Sequence, residues 1–182
     1  MRSPLKPAGK ETAFSVRGMT LMGLLGALLI LVQVSIAALP NIELVTLFVV
    51  LYTLVFGRLA FIPVAVFILV EGLIYGFGMW WFNYLYVWPL LVAVALLFQK
   101  QRSRFFWTIL IAAFGLLFGA LCALPYFFIG GPASAFAYWV QGIPFDLMHC
   151  AGNAITALLL FQPLLGLIER LSRRMLLQDA AQ

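Results

Sequence analysis

Gln141-Gly-Ile-Pro-Phe-Asp-Leu-Met-His-Cys-Ala-Gly-Asn153 opens the last long apolar run of this chain, about 143–168. Pro144 suits the first turn of a helix, where its missing N–H costs nothing. On that helix Asp146, His149 and Asn153 fall at i, i+3 and i+7, so they form one polar stripe. Gly142 and Gly152 leave room for a neighbour to come close. A carboxylate, an imidazole and an amide are costly to hold in an apolar run, so they face a cavity or partner groups. Two readings follow: a binding site, or a polar clamp between helices that holds no ligand.

The rest of the chain sets that stripe in a membrane. Of 182 residues 65% are hydrophobic and 9% charged, against about 25% charged in a soluble domain. Six apolar runs are readable, at about 19–39, 42–56, 59–75, 85–98, 106–129 and 143–168. The longer ones match the roughly 20 residues that cross a bilayer. Pro40-Asn41 turns the chain after the first, and Gly57-Arg58 after the second. A Gly- and aromatic-rich connection, 76–88, precedes the fourth, and 130–140 reads as an outer loop. The first run ends without a small-x-small cleavage pattern, so it reads as a retained helix rather than a signal peptide.

The net charge of +5 comes from clusters: Arg2, Lys6, Lys10 and Arg17; Arg58; Lys100, Arg102 and Arg104; Arg170, Arg173 and Arg174. Long runs without Lys or Arg separate them, which is a topology signal and not a nucleic-acid surface. Six spans with the N-terminus inside put every cluster on the cytoplasmic face; five or seven would divide them. The expectation is an all-α bundle of six transmembrane helices in a prokaryotic plasma membrane, with both termini cytoplasmic. Residues 1–17 form an N-terminal tail, 18–170 the transmembrane domain and 171–182 a C-terminal tail.

With that topology Asn41, Glu43, Glu71, Tyr75, Trp81, Asn83, Tyr84, Tyr138, Asp146 and His149 gather in the outer half, together with Trp80, Tyr86, Trp88, Tyr126 and Trp139. Aromatic walls with a few polar groups suit a small-molecule pocket. An interfacial aromatic belt accounts for some of the rings, but not for three acidic residues and the single His. His149 reads either as a ligand contact or as a hydrogen-bonded partner of Asp146 or Glu71. No phosphate loop, nucleophile elbow or zinc-helix motif is present, so neither ATP hydrolysis by that route nor a familiar hydrolase is expected. Cys122 and Cys150 lie in apolar runs without paired spacing and give neither a metal site nor a disulfide framework. No cofactor is implied.

Leu39-Pro-Asn-Ile-Glu-Leu-Val-Thr46, Glu71-Gly-Leu-Ile-Tyr-Gly-Phe-Gly78, Trp81-Phe-Asn-Tyr-Leu-Tyr-Val-Trp88 and Gly130-Gly-Pro-Ala-Ser-Ala-Phe-Ala-Tyr-Trp139 resemble the substrate-binding S components of energy-coupling factor (ECF) transporters. The resemblance covers nearly everything after residue 17 and is closest to the subgroup associated with vitamin B12 (cobalamin) uptake. It implies a vitamin or precursor captured from outside, a membrane partner (the T component), and two cytoplasmic ATPase subunits. In that family an Ala-x-x-x-Ala type motif on the first helix docks on the T component. Here Gly23-Leu-Leu-Gly-Ala27 stands in its place, with Gly for the first Ala. With a corrinoid as ligand, His149 is also a candidate for approach to the cobalt. Two other classes stay open from the residues alone: an autonomous proton-coupled carrier using Glu43, Glu71 and Asp146, and a membrane enzyme or assembly subunit.

Overall fold

The computed structural model describes residues 16–38 and 42–179, with side chains as far as Arg173. Asn41 and nearly all of the expected N-terminal tail lie outside the described residues. Among the described residues six helices follow one another: α1 (Val16–Ser35), α2 (Val45–Phe56), α3 (Phe61–Tyr75), α4 (Met79–Leu97), α5 (Arg104–Cys122) and α6 (Leu124–Asp179), with a 3-10 turn, Gly57–Ala60, between α2 and α3. No strand occurs among the described residues. Counting α2 and α3 as one continuous helical stretch, five helices are long and apolar enough to cross a membrane.

α2 is the centre of the body. Every residue from Val45 to Thr53 is buried, as expected for a helix that is apolar on all sides. It packs on α4 and α6 and, less, on α1. Tyr52 Oη donates to the Leu25 carbonyl of α1 at 3.3 Å. A Cβ on neighbouring Gly26 would meet Val66 Cγ1 of α3 at 2.7 Å and the Pro63 carbonyl oxygen at 3.1 Å. Residues 52 and 63–66 thus meet α1 within one turn of each other, so the chain reverses between them. Gly57 makes the reversal, at φ 60° and ψ −131°, a conformation that favours glycine. Gly57-Arg58 is therefore the turn expected from the sequence, reduced to a single 3-10 turn.

α5 and α6 form an antiparallel hairpin. Descending it, Tyr126 stacks on Tyr138 with ring centroids 4.2 Å apart, the Gly119 N–H meets Asp146, Asn153 reaches the Ile111 carbonyl, and Trp107 stacks on Phe161. Arg102 pairs with Glu169 at 3.3 Å at the base. The tip is Gly131, whose φ of 76° is the one non-helical residue inside α6.

Several sequence expectations change here. The outer loop at 130–140 is helical, because one left-handed glycine followed by Pro132 suffices to turn the chain. Pro132, and not Pro144, takes the opening position of the descending helix; Pro144 lies inside it. α4 starts at Met79, so most of the aromatic connection 76–88 is helix. α6 runs on to Asp179, so the expected tail 171–182 is largely helical.

Candidate functional site

Two polar groups occupy the end of the bundle away from Arg58 and the Arg102–Glu169 pair. The first is the stripe on α6. Asp146, His149 and Asn153 are all buried, and they lie against α5 where Gly115 and Gly119 leave its surface bare. A Cβ at Gly119 would meet Asp146 Oδ2 at 2.5 Å, and one at Gly115 would meet the His149 carbonyl oxygen and Asn153 Nδ2 at 3.0 Å each. The bare surface admits the polar side chains to backbone groups. Asp146 Oδ1 accepts from the Gly119 N–H at 2.9 Å, and Asn153 Nδ2 donates to the Ile111 carbonyl at 3.3 Å.

His149 turns the other way. Its Nε2 is hydrogen-bonded to Glu43 Oε1 at 3.0 Å, with both side chains nearly buried, while Phe118 packs edge-on against the imidazole. The other oxygen, Glu43 Oε2, accepts from the Thr46 N–H at 2.8 Å. Glu43 therefore caps the start of α2, where a carboxylate complements the positive end of the helix, and joins that end to α6. Of the two readings of the stripe, the geometry is that of an interhelical clamp. Asp146 Oδ2 and Asn153 Oδ1 remain buried without a partner among the described residues. The close-approach role expected of Gly142 falls instead to Gly115 and Gly119, since a Cβ at Gly142 would meet nothing within 4 Å.

The second group is a cleft of about 250 Å³ between α1, α3 and α4, lined by Gln33, Ala37, Glu71, Tyr75, Trp80 and Tyr84. Glu71 is 3% exposed, and its Oε1 has no hydrogen-bond partner among the described residues. Tyr84 is fixed between rings: parallel to Phe67 at 6.0 Å, and edge-on to Trp80 at 5.2 Å and Trp88 at 5.5 Å. Trp88 in turn lies 5.9 Å from Phe118, so a run of aromatic rings connects the cleft to the clamp.

The expected site residues thus divide. Glu71, Tyr75 and Tyr84 come together in the cleft, and Glu43, Asp146 and His149 in the clamp. Trp81 braces α3 by donating from Nε1 to the Ile68 carbonyl at 2.9 Å. Asn83 is buried and accepts from Tyr86 Oη, which also donates to the Leu121 carbonyl. Tyr138 belongs to the hairpin tip. Gln33 and Ala37 were missed in the sequence. Their signal was their place near the end of α1, level with Glu71 one pairing away, and the α1–α3 pairing is not readable from residue types. Among the described residues no group of His, Cys, Asp and Glu is arranged to hold a metal ion.

No protein-family model matches this chain, and comparisons with curated proteins and with solved structures return no match.

Proposed function

We propose that this chain is the substrate-binding membrane subunit of an ECF-type transporter, crossing the plasma membrane six times with both termini in the cytoplasm. It takes a vitamin or related precursor from outside and depends on a T component and two ATPase subunits for energy. The observation that carries the reading is the cleft. It holds a buried, unpartnered carboxyl and three aromatic side chains, and it lies at the end of α1 opposite Arg17 and away from the Arg58 turn. A few polar groups within apolar and aromatic walls are what orients a small ligand. The chain reversal at Gly57–Ala60 supports counting α2 and α3 as two passes.

The corrinoid form of the proposal asks more of the molecule. The cleft of about 250 Å³ falls below the roughly 300–1,000 Å³ typical of drug-sized ligand sites. A cobalamin would need α1 to move away from α3 and α4. Mass spectrometry of ligand carried through purification tests the function directly: a bound vitamin or precursor is expected, and a chain that purifies with none and binds none overturns it.

Two further outcomes are expected. Cysteines placed at Arg58 and Arg102, in a background lacking Cys122 and Cys150, are expected to be inaccessible to impermeant reagents in intact cells. Labelling at Arg102 from outside would overturn the topology.

The second outcome concerns α1. A Cβ at Gly23 would meet nothing within 4 Å, whereas Gly26 is closed off by Val66, and Ala27 is exposed. Gly23 and Ala27 therefore present a small-residue face that no part of the described chain covers, as a docking helix requires. Gly23→Leu and Ala27→Leu are expected to change the stability of the isolated chain by no more than about 0.5 kcal/mol while abolishing co-purification with the T component. Gly26→Leu is expected to unfold the α1–α3 contact. Unimpaired co-purification of both outward variants removes α1 from the interface.

A further inference from the structure

We infer that the cleft between α1, α3 and α4 binds an organic cation, a substituted ammonium or flat cationic ring, with Glu71 as counter-charge and Tyr75, Trp80 and Tyr84 as its aromatic wall. The inference rests on the cleft being the ligand site, as proposed above, and goes on to name the ligand's charge.

Glu71 carries the argument. It lies 97% out of solvent by the 3% exposure of the residue, lines the cleft, and leaves Oε1 without a hydrogen-bond partner. Among the described residues no Lys, Arg or His pairs with it. Nor does the sequence supply one nearby: between Arg17 and Lys100 the only basic residue is Arg58, at the far turn. A buried carboxyl without a partner is expensive in this setting and is usually matched by something. Glu43, by contrast, has both oxygens occupied, by His149 and the Thr46 N–H. The two glutamates at this end of the bundle therefore differ in kind: Glu43 is consumed by the fold and Glu71 is left over, while Asp146, outside the cleft, accepts from the Gly119 N–H through one of its oxygens.

The wall around the leftover group selects the partner. Aromatic faces attract cations through the negative face of the ring, and quaternary ammonium groups are held this way in aromatic cages. Tyr84 is locked by Phe67, Trp80 and Trp88, so this part of the wall stands ready before a ligand arrives. Tyr75 is 55% exposed and lines the same cleft. A neutral or anionic ligand would leave an ionised Glu71 uncompensated and so favour its protonated form, whereas a cation pairs with the carboxylate directly. The ammonium group has two possible sources, a soluble ligand and the headgroup of a choline or ethanolamine lipid, and the experiment separates them.

The purified full-length protein is titrated with choline, N-methylpyridinium and benzyltrimethylammonium, each beside its neutral carbon isostere, in nanodiscs of phosphatidylglycerol and of phosphatidylcholine. At least one cation is expected to bind about tenfold or more tightly than its isostere. Glu71→Gln is expected to erase that preference, and Trp80→Leu to weaken the cation about tenfold with Glu71 intact. For a lipid source, phosphatidylcholine stays with the wild type but not with Glu71→Gln, and soluble cations bind only in phosphatidylglycerol. For a soluble source, binding is the same in both lipids. Equal binding of cations and isosteres, or a preference that survives Glu71→Gln in a folded protein, overturns the inference. A chain that joins the T component yet prefers neutral ligands sinks the cation assignment alone. A chain that binds cations but never joins a T component sinks the transporter reading alone.

Discussion

Gly119→Leu is expected to pry open the α5–α6 hairpin and to lower stability by about 2–6 kcal/mol, measured by thermal or denaturant unfolding in detergent. Even a Cβ at this position would lie 2.5 Å from Asp146 Oδ2. The carboxylate must leave, and with it goes the bond to the Gly119 N–H. Overpacking contributes about 1–3 kcal/mol, and a buried carboxyl deprived of its donor adds about 1–3 kcal/mol. Gly115→Leu is expected to behave alike, because it meets the His149 backbone, which cannot swing aside, as well as Asn153 Nδ2. Gly142→Ala is the control, with open space at its Cβ and an expected change within about 0.5 kcal/mol. If Gly119→Leu is as stable as the parent, the polar stripe does not hold the hairpin together.

His149→Ala is expected to cost about 3–5 kcal/mol, because it strands the Glu43 carboxyl at the nearly buried start of α2. Glu43→Gln is expected to cost less than Glu43→Ala. Its amide oxygen still accepts from the Thr46 N–H, while its NH2 faces a ring nitrogen able to accept. The double variant Glu43→Ala, His149→Ala is expected to be less damaged than the singles add up to, with a coupling of about 1–3 kcal/mol. Strict additivity of the two singles would mean that the pair contributes nothing as a pair. Neither variant touches the Glu71 cleft, so ligand affinity in whatever fraction remains folded is a second, independent measurement.

The fold was legible in the sequence to the extent that it follows from charge and apolarity. The clusters Arg58 and Lys100–Arg104 mark where chain segments turn, whereas at Arg170–Arg174 only the apolar run ends and α6 continues to Asp179. The reversal at Gly57 and the start of α5 just after Ser103 fall where those clusters place them. The hairpin tip was misjudged, because Gly130-Gly131-Pro132 reads equally as a loop and as a one-residue corner between helices. The polar stripe at Asp146, His149 and Asn153 was legible as a stripe. What it faces was not, since that depends on Gly115 and Gly119 of α5 lying opposite. Glu43 and Glu71 look alike in the sequence, as single carboxyls near the ends of apolar runs. Only the packing separates the one tied to His149 from the one left alone.

The helices of this body differ in reach, and a bilayer would register it. α3, with 15 residues, is about 22 Å long, whereas the uncharged stretch ascending to the hairpin tip, 105–130, rises about 39 Å. In a bilayer the exposed Phe61, Ile62, Leu69, Leu73 and Ile74 of α3 would meet lipid, as would Phe127, Phe128 and Phe136 at the tip. As a separate pass α3 would be shorter than the roughly 30 Å hydrocarbon core, and the ascending limb of the hairpin longer. Lipids would then thin along α3 and thicken beside the hairpin, or the hairpin would tilt, at a fraction of a kcal/mol for each Å of mismatch. Such a deformation would bias the orientation of the protein, and a neighbour whose own profile evened out the two lengths would gain affinity from relieving it.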